Sequence, residues 1–87
     1  MREIGRMLRE ARMARNLDIA DIAQRTHISG HYLAAMEEGK FHSIPKVFDR
    51  GYLKIYAGAL NIDAKPILAM YDSRQKETIS QQSKNSV

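Results

Sequence analysis

The sequence predicts an all-α fold, a bundle of five short helices, and three observations carry that prediction. Apolar residues recur at the three- and four-residue spacing of a buried helix face. Sustained period-two alternation and Asn-Gly or Asp-Gly hairpin turns are both missing, so nothing signals a strand. Capping residues then cut the helical pattern into short pieces.

The first piece runs from about Glu3 to Asn16, with Ile4, Leu8, Ala11 and Arg15 in register and Leu8 and Ala11 as core positions. Its outward side is basic, with Arg2, Arg6, Arg9, Arg12 and Arg15 against Glu3 and Glu10. Asp18 opens the second helix, because its carboxylate can accept first-turn N–H groups, and Asp21 approximates a capping box. Ile19, Ile22 and Ala23 are its apolar stripe, which stops around Arg25-Thr26-His27. Ser29 caps a third helix through Tyr32, Leu33 and Met36, ending at Gly39, a natural left-handed residue. Residues 40–46 read as a loop, with Pro45 marking a fresh start. The fourth helix spans about Val47 to Leu60, and Asp63 caps a short fifth one that reaches about Tyr71, with Pro66 in its first turn. Residues 1–72 are therefore assigned to one domain. Residues 73–87 hold Ile79 and Val87 as their only sizeable aliphatics and are expected to form a flexible tail or linker.

Size and charge limit what such a chain does. Eighty-seven residues make a binding module a better reading than an enzyme, and no nucleophile elbow or glycine-rich phosphate loop is present. Cysteine is absent, which removes disulfides and thiolate metal sites together. His27 and His31 stand four apart, but Ser29 starts a helix between them, so they share no helical face. No metal, cofactor or small-molecule ligand is expected. A net charge of +4 and a pI near 9.6 fit nucleic acid, anionic lipid or an acidic protein patch. No apolar run reaches the roughly 18 residues of a membrane helix, and the N-terminus has no signal-peptide stretch.

Two short helices joined by a three- to four-residue turn, after a longer first helix, spell a helix-turn-helix. The stretch from Leu17-Asp18-Ile19-Ala20-Asp21-Ile22-Ala23 through Ile28-Ser29 and Leu33 to Gly39 resembles the lambda-repressor-like (XRE-type) group. That resemblance implies a small DNA-binding regulator whose third helix reads the major groove through Gly30, His31, Tyr32 and Ala34. None of these is the Arg, Lys, Asn or Gln that makes bidentate bonds to a base edge, so sequence-specific DNA binding is the second reading. Ile19 stands where that group usually places a phosphate-gripping glutamine, and Glu37 and Glu38 close the would-be recognition helix.

A longer resemblance covers about residues 3–72. Ile4-Gly5, Leu8-Arg9-Glu10-Ala11-Arg12, Tyr32-Leu33-Ala34-Ala35-Met36-Glu37, Arg50-Gly51-Tyr52-Leu53-Lys54-Ile55-Tyr56-Ala57, Asn61-Ile62-Asp63 and Tyr71-Asp72 resemble the cytoplasmic helix-turn-helix domain of RodZ-like bacterial cell-shape proteins. The resemblance implies a cytoplasmic module, tethered to a single membrane helix, that docks the actin homologue MreB through aromatics of the fourth helix. Carried over by position, these are Tyr52 and Tyr56, flanked by Arg50 and Lys54. The basic first helix reads first as a solvated face, with an anionic membrane surface as its alternative partner if the domain sits under a membrane. The segment between Pro45 and Arg50 reads one residue shorter than the family pattern.

The residues of the fourth helix fit such a role by themselves. On a helical wheel Phe48, Tyr52 and Ile55 form one apolar sector and Leu53, Tyr56 and Leu60 another. A helix apolar over so wide an arc is either centrally buried or meets a partner.

Overall fold

The computed structural model describes residues 1–74, and within them every regular element is helical. The α-helices are α1 (Arg2–Ala14), α2 (Ile19–Thr26), α3 (Gly30–Glu37), α4 (Lys46–Ala59) and α5 (residues 64–74), with a 3₁₀ turn at Phe41–Ser43 between α3 and α4. The all-α bundle and its helix-turn-helix core are as the sequence predicts. α5 runs three residues past Tyr71, and the tail expected over residues 73–87 lies outside the described residues from 75 onward. No helix among the described residues is long and apolar enough to cross a membrane.

Local chemistry sets the helix ends. At α2, Asp18 and Asp21 form the capping box, with the Asp18 N–H donating to the Asp21 carboxylate at 2.8 Å. Ser29 caps α3 by accepting from the His31 N–H at 3.2 Å. A left-handed residue closes each of the first four helices: Asn16, His27, Gly39 and Asn61. Behind α3, Lys40 N–H returns to Ala35 and Gly39 N–H to Met36, the two bonds of a Schellman motif.

α3 lies at the centre, packed on α1 and α2, while α2 also reaches α4. Gly5 permits the α1–α3 approach, since a Cβ there would stand 2.3 Å from the Glu37 carbonyl oxygen. Ile4, Leu8, Ile22, Leu33, Met36, Leu53, Tyr56 and Ile67 are fully buried. The segment read as a plain loop contributes core as well: its turn buries Phe41 and Ile44. Phe41 packs on Tyr71 with ring centroids 4.9 Å apart.

Candidate protein-docking surface

The two apolar sectors of α4 have opposite fates. Leu53, Tyr56 and Leu60 are buried, whereas Phe48 and Ile55 are 46% and 45% exposed and Val47 is 82% exposed. Tyr52 is half-buried at the border. Its ring stacks on Phe48 (centroids 5.4 Å apart, planes within 9°) and tilts against Tyr32 at 5.9 Å. Tyr32 in turn meets His31 at 5.9 Å, so four rings run in a chain from the outer face of α4 to the start of α3. Gly51 and Gly58 lie on the same outward side, with nothing within 4 Å of where a side chain would begin. Aromatic edges beside bare backbone make a charge-poor face that a partner helix or loop can approach closely.

Tyr56 does not belong to this face, which corrects its assignment as a contact residue. It is fully buried, and its hydroxyl donates to the Glu37 carboxylate. Burial first, and then the Glu37 carboxylate, push the phenol above its ordinary value. Glu37 also takes a bidentate grip from Arg12, Nε at 2.7 Å and Nη2 at 3.0 Å, and Arg12 Nη1 donates to the Leu17 carbonyl. Hydrogen bonding to Glu37 raises the Arg12 guanidinium above its usual value. Arg12 and Glu37 are thus interior groups that join α1 and α3 to α4; neither is the solvated surface charge that the helical pattern implies.

Arg50, although exposed, also has a role within the domain. Its guanidinium is held by Asp72 of α5 through Nε at 3.0 Å and Nη2 at 3.1 Å. Hydrogen bonding to Arg50 lowers the Asp72 carboxyl, and the same bond raises Arg50. Next to it, buried Asp49 accepts from the Tyr71 hydroxyl and from the Arg50 N–H at 2.6 Å. Residues 49–50 and 71–72 therefore form a double clasp between α4 and α5. Lys54 is exposed and makes no ion pair among the described residues, which leaves it available beside the aromatic face.

The four positions expected to read DNA are differently placed. Gly30 is half-buried against Ile19 Cγ2 at 3.4 Å from a would-be Cβ, Tyr32 is engaged with Tyr52, and Ala34 is half-buried. His31 alone of the four is exposed. Glu38 stays at the surface near Lys40, at 3.7 Å, while Glu37 is withdrawn into the interior.

A half-open cavity of about 330 Å³ lies on another side, lined by Phe41, Ile44, Asp49 and Tyr71 among others. Its polar floor is already satisfied by the Tyr71–Asp49 hydrogen bond, so the exposed face of α4 is the stronger candidate.

The helix-turn-helix domain family matches residues 7–67 of the chain. The chain is also similar to the cytoskeleton protein RodZ of Streptococcus pneumoniae, with 38% identity over 71 residues, 80% of this chain and 26% of that protein. It thus spans about a quarter of the length of that curated relative. No solved structure matches.

Proposed function

Because this chain belongs to the helix-turn-helix domain family, in its RodZ-like form, we propose that it is a cytoskeletal adaptor module. In this reading the outer face of α4 docks an MreB-type actin homologue at the cytoplasmic face of the membrane, in the maintenance of cell shape. The module acts by binding, not by catalysis.

One observation carries the reading: Phe48, Tyr52 and Ile55 remain accessible on a helix whose other apolar sector already serves the core. A folded domain of this size gains nothing from two exposed large apolar side chains and a stacked ring pair unless something covers them. Tyrosine and phenylalanine make good anchors, since each brings a large apolar area for few rotatable bonds. The named relative is a cytoskeleton protein, which supports a filament-forming partner over nucleic acid. The four α3 positions weigh the same way, since they bring no bidentate base-reading group to solvent.

Phe48→Ala and Tyr52→Ala test the site directly. Each is expected to weaken binding of an MreB-type actin homologue by about 1–3 kcal/mol. Phe48→Ala should cost less than about 1 kcal/mol of stability because its ring is largely exposed, whereas Tyr52→Ala, half-buried against two rings, should cost about 1–2 kcal/mol. Binding that survives both changes in a folded domain removes the proposed site.

A further inference from the structure

The outward ridge of α1 takes no part in that docking face. Arg2, Arg6 and Arg9 recur at i, i+4 and i+7, so they line one side of the helix, and all three are exposed. Met13 continues the row one turn further and is 55% exposed. Of the acids beside the row, Glu3 is turned to Arg74 at 3.8 Å, while Glu10 makes only a loose, exposed pair with Arg6 of the row itself at 3.9 Å. Arg2 and Arg9 make no ion pair among the described residues. The fourth arginine, Arg12, is turned inward to Glu37, which leaves the ridge as a narrow line and not a basic belt.

A second observation concerns where the chain leaves the domain. α5 brings residue 74 against Glu3, in the first turn of α1. The last described residue of α5 therefore lies at the end of the molecule at which the arginine row begins.

We propose that the ridge of Arg2, Arg6 and Arg9, together with Met13, is a docking face for an anionic lipid bilayer. This rests on the membrane-face location proposed above and adds to it a direct lipid contact. Guanidinium groups pair with headgroup phosphates through forked hydrogen bonds. An exposed thioether in the same row has a place to go at a bilayer, among the headgroups, where flexible apolar side chains are accommodated. A nucleic-acid phosphate backbone would meet the same charges but offers Met13 no apolar contact, so the combination favours lipid. The described end of α5 beside the ridge suits the membrane-face location proposed above. α4 is then free to reach its protein partner.

The test uses the full chain and vesicles of phosphatidylglycerol and phosphatidylcholine mixed about 1:2, with pure phosphatidylcholine as the neutral surface. Sedimentation with the anionic vesicles only, falling steeply as salt rises from about 50 to about 500 mM, is expected. Arg2→Gln, Arg6→Gln and Arg9→Gln should each lower partitioning by roughly fivefold. Met13→Ser should lower it at both salt concentrations. The double change Arg25→Gln with Lys65→Gln removes charge elsewhere and should lower it far less; circular dichroism checks that all variants remain folded. Equal losses for the ridge and the control positions would overturn the proposal, as would wild-type partitioning by the triple arginine variant. So would tighter binding to duplex DNA than to vesicles through the same arginines. No actin homologue is present in the assay, so failure here leaves the α4 site standing, and failure of that site leaves this result unaffected.

Discussion

Tyr56 shows how much one side chain can decide. Its ring fills the centre of the domain, and its hydroxyl shares the Glu37 carboxylate with Arg12. Truncation to Ala should cost about 3–5 kcal/mol, in the range of large aromatic deletions from cores. Tyr56→Phe keeps the ring and loses a hydrogen bond to a charged group, so about 1.5–3 kcal/mol is expected in denaturant titrations. The same residue sets an alkaline limit. Its folded value is raised above the ordinary 10.0, so its contribution is fully present below that pH. As pH rises further, the unfolded phenol gives up its proton while the folded one holds it, and stability falls. Tyr56→Phe should flatten that decline; an unchanged alkaline slope would mean that the phenol is not protected. None of this was legible from periodicity, which places Tyr56 in an apolar sector without saying which sector is inside. Glu37 lies 19 residues from Tyr56 and 25 from Arg12 in the chain, beyond the reach of any local pattern.

Helix ends, by contrast, are written locally, and they were legible. Asp18 with Asp21, Ser29, Gly39 and Asn61 all act where their chemistry places them. His27 is the exception: it holds φ of 61° at the end of α2, a conformation that glycine adopts without strain. His27→Gly should raise stability by about 1 kcal/mol, read as a higher thermal midpoint; a fall would show that the imidazole packs usefully there. On α4 the residues that carried the family resemblance prove to be partly structural. Arg50 and Asp72 clasp each other, and Asp49 accepts from Tyr71, so α4 is fixed on α5 before any partner arrives. Sequence spacing revealed two apolar sectors on that helix but not this clasp, because its halves stand 22 residues apart. The consequence for the site is specific. Tyr52 and Lys54 stay at the surface, Phe48 and Ile55 join them, Tyr56 is buried, and Arg50 is exposed but paired with Asp72.

Across the molecule the division of labour follows from which surfaces the core uses. α3 is enclosed by α1 and α2, its last turn is tied to Arg12 and Tyr56, and its first turn joins the aromatic chain of α4. The outer face of α4 is left open, and the two glycines on it offer a way to test it without disturbing the interior. A side chain at Gly51 meets nothing within 4 Å, so Gly51→Arg should fold at least as well as the parent, helped by the better helix propensity of arginine. It would nevertheless raise a long, charged obstacle in the middle of the proposed interface. Titration of an MreB-type actin homologue with Gly51→Arg and the parent chain, each with its thermal midpoint recorded, is the most direct measurement. A loss of at least about tenfold in affinity at an equal or higher midpoint is the predicted result; parental affinity in the folded variant would contradict docking through α4.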